Sequence, residues 1–387
     1  MNKKNTILIL LDNPFTNDRR VYREALSLLE TGYKVIVVCV KKQNLPNEEI
    51  NNGIIIKRFF SNDIFDPKKT LCFKRYAKQI IDNIEFDSIH ANDQTMLHLG
   101  VKIKTKLPLI KLIYDSHELF RAWPLNTSAK GWVYLKSLIV RSYLKSREAK
   151  NIKKIDGLIT VNESIRKDII THFKLEVNSI SLRNIPELPS VVNKRNILRE
   201  KFNLKASDKI LVYIGANIYP KTINIEQVIK EFSNKKDVYM IFICAFNWGK
   251  QEVENFANDN SVKNLFFHNL ITPSEINDYL SSADAGIVSS WNKNDLSYWY
   301  GLDNKLFEYM MSGIPIVATR QPEYLQIVEK YKLGLCIDPD KENYYDAFVN
   351  IIADKDKYSA NIKEAKKILN WKVESTKLIN FYKYYQQ

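Results

Sequence analysis

An α/β architecture of two parallel-sheet domains facing each other across a deep cleft is predicted by three features of the sequence. Short apolar runs rich in β-branched residues recur along the chain, each followed by a loop and a charged helical pattern. These runs are apolar throughout instead of alternating, as strands buried on both faces must be. The series then restarts after a polar, proline-containing stretch, Asn184 to Lys194. A chain of 387 residues that is 45% hydrophobic exceeds what one core ordinarily serves, so two domains are expected, 1–190 and 191–370.

In the first half, Ile7 to Leu11 and Lys34 to Val40 read as strands, and Asp18 to Thr31 between them as a helix ending at Gly32. Ser88 to His90, Leu109 to Tyr114 and Gly157 to Val161 continue the series. In the second half the predicted strands are Ile210 to Ile214, Tyr239 to Cys244, Leu265 to His268, Ala285 to Val288 and Ile314 to Ala318. The last stretch is helical and basic, and its portion from about 371 to 387 is expected to pack back on the first domain through Trp371 and several tyrosines.

The four cysteines, Cys39, Cys72, Cys244 and Cys336, are far apart and show no CxxC spacing, so they read as buried, reduced thiols. No window carries the roughly 18 apolar residues of a spanning helix. A net charge of +14 predicts attraction to polyanions. The excess is densest from Lys130 to Lys154, where Lys130, Lys136, Arg141, Lys145, Arg147, Lys150, Lys153 and Lys154 outnumber one acid, Glu148. Trp132, Leu135, Leu138, Ile139 and Leu144 lie among these cations, a pattern that suits a helix lying on an anionic bilayer and equally a helix whose apolar stripe packs on the first sheet. A nucleic-acid binder would rest on charge alone, since no recognised binding module accompanies it.

Ligands of open parallel sheets bind beyond the carboxyl ends of the strands, so the chemistry is sought in the strand-to-helix loops. Neither half carries GxGxxG after its first strand, which argues against a dinucleotide-dependent dehydrogenase. Asp303 to Met311 reads as a helix with Asn304 at its start and with Lys305 and Glu308 three residues apart on one face. A lysine near a helix N-terminus suits a diphosphate, and a carboxylate one turn on suits ribose hydroxyls. The same spacing also suits a plain surface ion pair. His117, between Asp115 and Glu118, suits either catalysis or a structural hydrogen bond. His90 reads as structural, and Asp284 as a capping or packing residue.

GLDNKLFEYMMSGIPIVAT, from Gly301 to Thr319, resembles the donor-site signature of retaining glycosyltransferase family 4. DNPFTNDRRVYREALSLLETGYKVIVVC, IHANDQTML, LIYDSHELF and DGLITVNESI resemble further loops of that family, in family order, over most of residues 7 to 320. The resemblance implies the GT-B fold, two facing Rossmann-like domains: acceptor-binding at 1–190 and nucleotide-sugar-binding at 191–370. It implies a retaining transfer from a nucleoside diphosphate sugar, with no further cofactor and no metal at the donor phosphates. By the same resemblance Glu308 meets the ribose, and Lys305 and Asn304 lie at the donor. Gly215, Asn217 and Lys221 in YIGANIYPKT belong to the phosphate loop, His117 lies beside the transferred sugar, and residues 13–19 close over the substrates. His117, Lys221 and Lys305 are the catalytic candidates.

Two positions depart from the family pattern. Tyr300 stands where an acid often precedes Glu308 by eight residues, and Ala216 and Asn217 follow Gly215 where an arginine often stands. The resemblance implies a glycan or polyprenyl-linked acceptor, cell-surface polysaccharide biosynthesis and a cytoplasmic location, peripheral on the inner face of the plasma membrane through the basic segment. A sugar-nucleotide epimerase of the same fold and a catalytically weak, glycosyltransferase-like binding protein are the alternatives.

Overall fold

The computed structural model describes residues 5–65, 71–123, 131–189, 196–215, 224–245 and 249–385. The chain divides into two units, residues 1–184 with 374–387 and residues 185–373.

The first unit is built on eight strands: β1 (Thr6–Leu10), β2 (Lys34–Val40), β3 (Glu48–Asn51), β4 (Ile54–Phe60), β5 (Ser88–Asn92), β6 (Lys111–Ser116), β7 (Gly157–Thr160) and β8 (Asn178–Ser181). Their order is β3-β4-β2-β1-β5-β6-β7-β8. All pairings are parallel except β3 with β4, an antiparallel hairpin at one edge. β1 is buried at every residue, as a central strand covered on both faces must be. β4 alternates buried and half-buried positions, the period-two pattern of a strand near an edge. Asn52 and Gly53 turn the hairpin with both φ angles positive, 46° and 87°, which this pair of residues adopts at little cost. The exposed Glu48 of β3 puts a charge at the sheet edge, which disfavours pairing with another chain.

The second unit is built on β9 (Lys209–Gly215), β10 (Val238–Cys244), β11 (Leu265–Asn269), β12 (Ala285–Val288), β13 (Ile316–Thr319) and β14 (Gly334–Ile337), all parallel in the order β11-β10-β9-β12-β13-β14. One apolar cluster, including Val212, Ile241, Tyr309 and Met310, and a second, including Leu211, Phe242, Ile287 and Phe348, form its core. Both halves are thus α/β with Rossmann-like sheets.

Some boundaries differ from those read in the sequence. β6 starts at Lys111 instead of Leu109, whose side chain is 95% exposed, and β13 starts at Ile316 because the Ile314 N–H still closes the preceding helix onto the Tyr309 carbonyl. β3, β4, β8 and β14 were not among the predicted strands. All four cysteines are buried and free. The helix Trp371–Tyr384 buries Trp371 and Tyr382, and its residues from 374 onward belong to the first unit. Among the described residues no helix is long and apolar enough to cross a membrane.

Candidate active site

In the first sheet the order reverses between β1 and β5, the kind of point at which open parallel sheets bind ligands. Three segments leave the sheet there: residues 11–18 after β1, Asp93 after β5 and His117 after β6. The first segment is held by its own side chains. Asn13 Nδ2 donates to Asp18 Oδ2 at 2.8 Å, and Asn13 Oδ1 accepts the Phe15 N–H at 2.8 Å. Asp18 also accepts the Val21 N–H and so caps the helix Arg19–Glu30.

His117 sits between two carboxylates. Its backbone N–H donates to Asp93 Oδ1 at 3.0 Å, its Nδ1 lies 3.4 Å from Asp93 Oδ2, and its Nε2 lies 3.4 Å from Asp115 Oδ2. Asp93 reaches this position from a left-handed backbone, φ 60°, which its short polar side chain tolerates better than most. Burial works against the imidazolium, but the charges of Asp93 and Asp115 outweigh it and hold the His117 pKa well above its ordinary value. The ring is therefore a cation that donates N–H, suited to meeting negative charge and not to removing a proton. Asp12, half-buried after β1, is pushed up to about 6, by burial first and then by Asp93.

Asp115 is anchored from the other side. One Arg20 guanidinium nitrogen lies 3.1 Å from both of its oxygens, and another donates to the Leu182 carbonyl at 2.7 Å. Arg20 Nε also lies 3.0 Å from Glu24 Oε1. Burial disfavours the Asp115 carboxylate, yet Arg20 and His117 hold its pKa well below the usual range. Glu24, His90 and Asp115 present ligand atoms within 4.8 Å of one another, but the guanidinium already supplies the positive charge in their midst. His90 is fully buried in this network.

In the second unit the order reverses between β9 and β12. The helix Asn304–Ser312 begins near these strand ends, with Asp303 as its N-terminal cap residue and Gly313 closing it at φ 80°. It buries Leu306, Phe307, Tyr309 and Met310 and leaves Asn304 exposed, with Lys305 and Glu308 half-buried. Tyr309 fixes the helix to the sheet: its hydroxyl accepts the Ile214 N–H at 3.0 Å and donates to the Ile287 carbonyl at 3.2 Å. Its ring fills the space that a side chain at Gly286 would need.

Lys305 Nζ lies 3.0 Å from Asp303 Oδ2 and 4.8 Å from the centre of the Tyr213 ring on β9. Burial opposes its charge, but Asp303 and Tyr213 more than compensate and raise its pKa. Asp303 also accepts from Ser290 Oγ at 3.2 Å. Lys305 is thus already engaged by Asp303.

Gly215 ends β9, its Cα facing the Tyr213 hydroxyl so closely that a Cβ would stand 2.9 Å from it. Asn217 and Lys221 lie outside the described residues, as does Lys130. The structure brings Gly215, Asn304, Lys305 and Glu308 to the second unit and His117 to the first. Asp284 has the packing role read for it, accepting from the Ile210 N–H, Arg199 and Lys355. Asp12, Asp93 and Asp303 are functional candidates that the motifs do not single out; Asp12 and Asp93 lie just beyond strand ends, and Asp303 stands at a helix start.

The basic segment needs one correction. Arg147 and Glu148 do not join an outer charged face. Arg147 is buried and donates to Gln94 Oε1 at 3.0 Å, and Glu148 is buried and accepts from the Tyr114 hydroxyl at 3.1 Å.

Comparison with known proteins places the family and the fold. Residues 18–182 match the family described as Glycosyltransferase Family 4, and residues 208–354 match Glycosyl transferases group 1. The chain belongs to the GT-B glycosyltransferases. Solved structures share its fold at low identity. Sucrose-phosphate synthase from Thermosynechococcus elongatus superposes with a TM-score of 0.77 at 15% identity, over 98% of each chain. The UDP-forming trehalose-phosphate synthase of Burkholderia xenovorans gives 0.73 at 11%, over 98% of each chain. Anabaena HepE in complex with UDP-glucose gives 0.67 at 13%, over 98% of this chain and 99% of that one. No curated protein matches the chain by sequence. This glycosyltransferase draws on a nucleotide-sugar donor, and His117, Asp93 and Asp115 fall within the first matched segment, Asp303, Lys305 and Glu308 within the second.

Proposed function

We propose that the protein is a retaining glycosyltransferase that moves a sugar from a nucleoside diphosphate sugar to a glycan or polyprenyl-linked acceptor in cell-surface polysaccharide biosynthesis. The observation that supports the donor half is the Asp303–Lys305 pair at the start of the helix Asn304–Ser312, a fixed cation at a helix N-terminus in a parallel-sheet domain. In this reading Lys305 and Lys221 meet the charge that grows on the departing diphosphate. Glu308 accepts from the ribose, Gly215 and Asn217 hold the phosphate loop, and Asn304 borders the donor. The bond from the sugar's anomeric carbon to the diphosphate breaks as the acceptor oxygen bonds to the same face. The acceptor's proton passes to the departing phosphate oxygen. His117, held as a cation, orients the sugar.

A thermal-shift and hydrolysis screen over UDP-, GDP-, ADP- and CMP-sugars tests this reading, since a bound donor raises apparent stability. Absence of any shift across the panel would remove the donor site. Donor incubated alone and converted to an epimer would favour an epimerase. Donor binding without turnover would favour the binding-protein reading, which Tyr300 supports.

The acceptor half is supported by the helix Gly131–Asn151. Trp132 is 76% exposed and Ile139 67%, and with Leu135 and Tyr143 they share one helical face. That stripe turns outward, so packing on the sheet does not account for it. With the exposed Lys136 and Lys150 on the same side of the helix, this face suits a cytoplasmic, anionic bilayer surface presenting a lipid-linked acceptor. Sedimentation with anionic liposomes at low salt, lost in Trp132→Ser with Ile139→Ser, is the expected result; a wild-type protein that stays in the supernatant refutes it.

A further inference from the structure

Tyr382, on the last helix of the chain, lies deep in the first unit with its hydroxyl 2.8 Å from His90 Nδ1 and its ring stacked at 11° to the imidazole. His90 Nε2 lies 3.3 Å from Asp115 Oδ2, and that same oxygen lies 3.4 Å from His117 Nε2. Tyr382, His90 and Asp115 are all buried. We propose that Tyr382 is a positioning residue for His117, acting through His90 and Asp115, so that the C-terminal helix sets the orientation and charge of the histidine beside the transferred sugar. The proposal rests on the reading of His117 as an active-site residue.

The chemistry runs in one direction. A phenol in an apolar setting keeps its proton, and burial holds the Tyr382 pKa well above its ordinary value. The Asp115 carboxylate can only accept, which puts a proton of His90 on Nε2 and leaves Nδ1 to accept from the Tyr382 O–H. Asp115 Oδ2 then has its place fixed by His90 on one side and by Arg20 on the other, and His117 Nε2 meets a carboxylate of set position and charge. Nε2 of His117 is itself buried with no well-aligned hydrogen-bond acceptor, so small movements of Asp115 change how tightly its proton is held. Without the Tyr382 hydroxyl, Nδ1 of His90 is a buried acceptor with no donor, and the ring has reason to turn.

The charged groups that face His117 come from several elements. Asp12 follows β1, Arg20 and Glu24 lie on the helix Arg19–Glu30, Asp93 follows β5, Asp115 lies one residue before the end of β6, and Glu118 directly follows His117. Asp115 lies 3.3 Å from His90 and 3.4 Å from His117, and Glu24 Oε2 lies 3.8 Å from His90 Nε2, so a change at Tyr382 reaches His117 through His90 and these carboxylates, Asp115 being the nearer.

The test compares Tyr382→Phe with Tyr385→Phe. Tyr385 is one turn on, and its hydroxyl donates to the Asp156 carbonyl at 2.8 Å, away from His90. The histidine titrations of the free full-length protein are followed by NMR, with His117 assigned by its loss in His117→Ala. Turnover is read as hydrolysis over the UDP-, GDP-, ADP- and CMP-sugar panel. Tyr382→Phe is expected to displace the His117 midpoint by about half a unit or more and to lower kcat about fivefold, with donor KM within about twofold. Tyr385→Phe is expected to change neither. An unmoved His117 midpoint in Tyr382→Phe overturns the proposal, as do equal changes in the two variants, which would mark a structural effect of the helix. Full activity in His117→Ala overturns the underlying reading of His117 itself, and is distinguishable because the NMR titration is then the only readout that Tyr382→Phe moves.

Discussion

Asp93 accepts the backbone N–H of His117 at 3.0 Å with one oxygen and faces the imidazole Nδ1 at 3.4 Å with the other, so a single carboxylate sets both the loop and the charge of the ring. Asp93→Asn keeps the backbone, because asparagine also tolerates the left-handed φ of 60°. It removes the charge. The His117 pKa is expected to fall toward its ordinary value and turnover to drop by about tenfold or more, with the melting temperature little changed. Histidine NMR titration and steady-state kinetics together check this; an unchanged midpoint would separate the two residues.

Arg20 neutralises Asp115 and Glu24, all three being buried. Arg20→Met removes the guanidinium that Glu24 and Asp115 share and leaves Asp115 with His117 alone, and the expected loss of stability is about 3–5 kcal/mol. Urea unfolding followed by circular dichroism measures it. A loss below about 1 kcal/mol would mean that water or a bound cation takes the guanidinium's place.

Glu148 gives a pH dependence whose sign follows from its surroundings. Burial pushes its pKa up to about 7, from an ordinary value near 4.5, so the native state holds a proton that the unfolded state releases. Stability from this group is present below about 4.5 and is lost as the pH rises toward and past 7. Glu148→Gln keeps an acceptor for the Tyr114 hydroxyl and needs no proton. The variant is expected to gain on the wild type by on the order of 1–3 kcal/mol between pH 5 and pH 8. Parallel unfolding curves for the two proteins at these pH values would count against it.

Lys305 and Asp303 are expected to pull donor affinity in opposite directions. Lys305→Ala removes the cation and weakens donor binding by about tenfold to a hundredfold. Asp303→Asn removes the competing carboxylate and strengthens it by about threefold. Isothermal titration with the donor that emerges from the nucleotide-sugar screen checks both signs. Weaker binding in Asp303→Asn would show that this carboxylate itself holds the donor.

Local chemistry explains what could be read in advance. β1 and β2 announce themselves by unbroken apolar runs, and the helix Asn304–Ser312 by its motif and the glycine that ends it. The hairpin of β3 and β4 was passed over because Glu48, Glu49, Lys57 and Arg58 break its apolar pattern, although Asn52-Gly53 carried the turn signal. His117 could be found from the residues around it. Its clamp could not, since Asp93 is 24 positions away and comes beside it only when β5 pairs with β6. Arg147 and Glu148 read in the sequence only as members of the basic segment, because a charge gives no sign in one dimension of a buried partner; Gln94 and Tyr114, on neighbouring elements, supply those partners.

Residues 374–385 complete the first unit, yet a ribosome makes them only after the whole of residues 185–373. At 5–20 residues per second the delay is on the order of 10–40 s, during which the pocket around His90 and Tyr33 waits without Tyr382. The first unit is thus completed only after the second has been made, and a nascent chain cannot close its histidine network until both sheets have been synthesised.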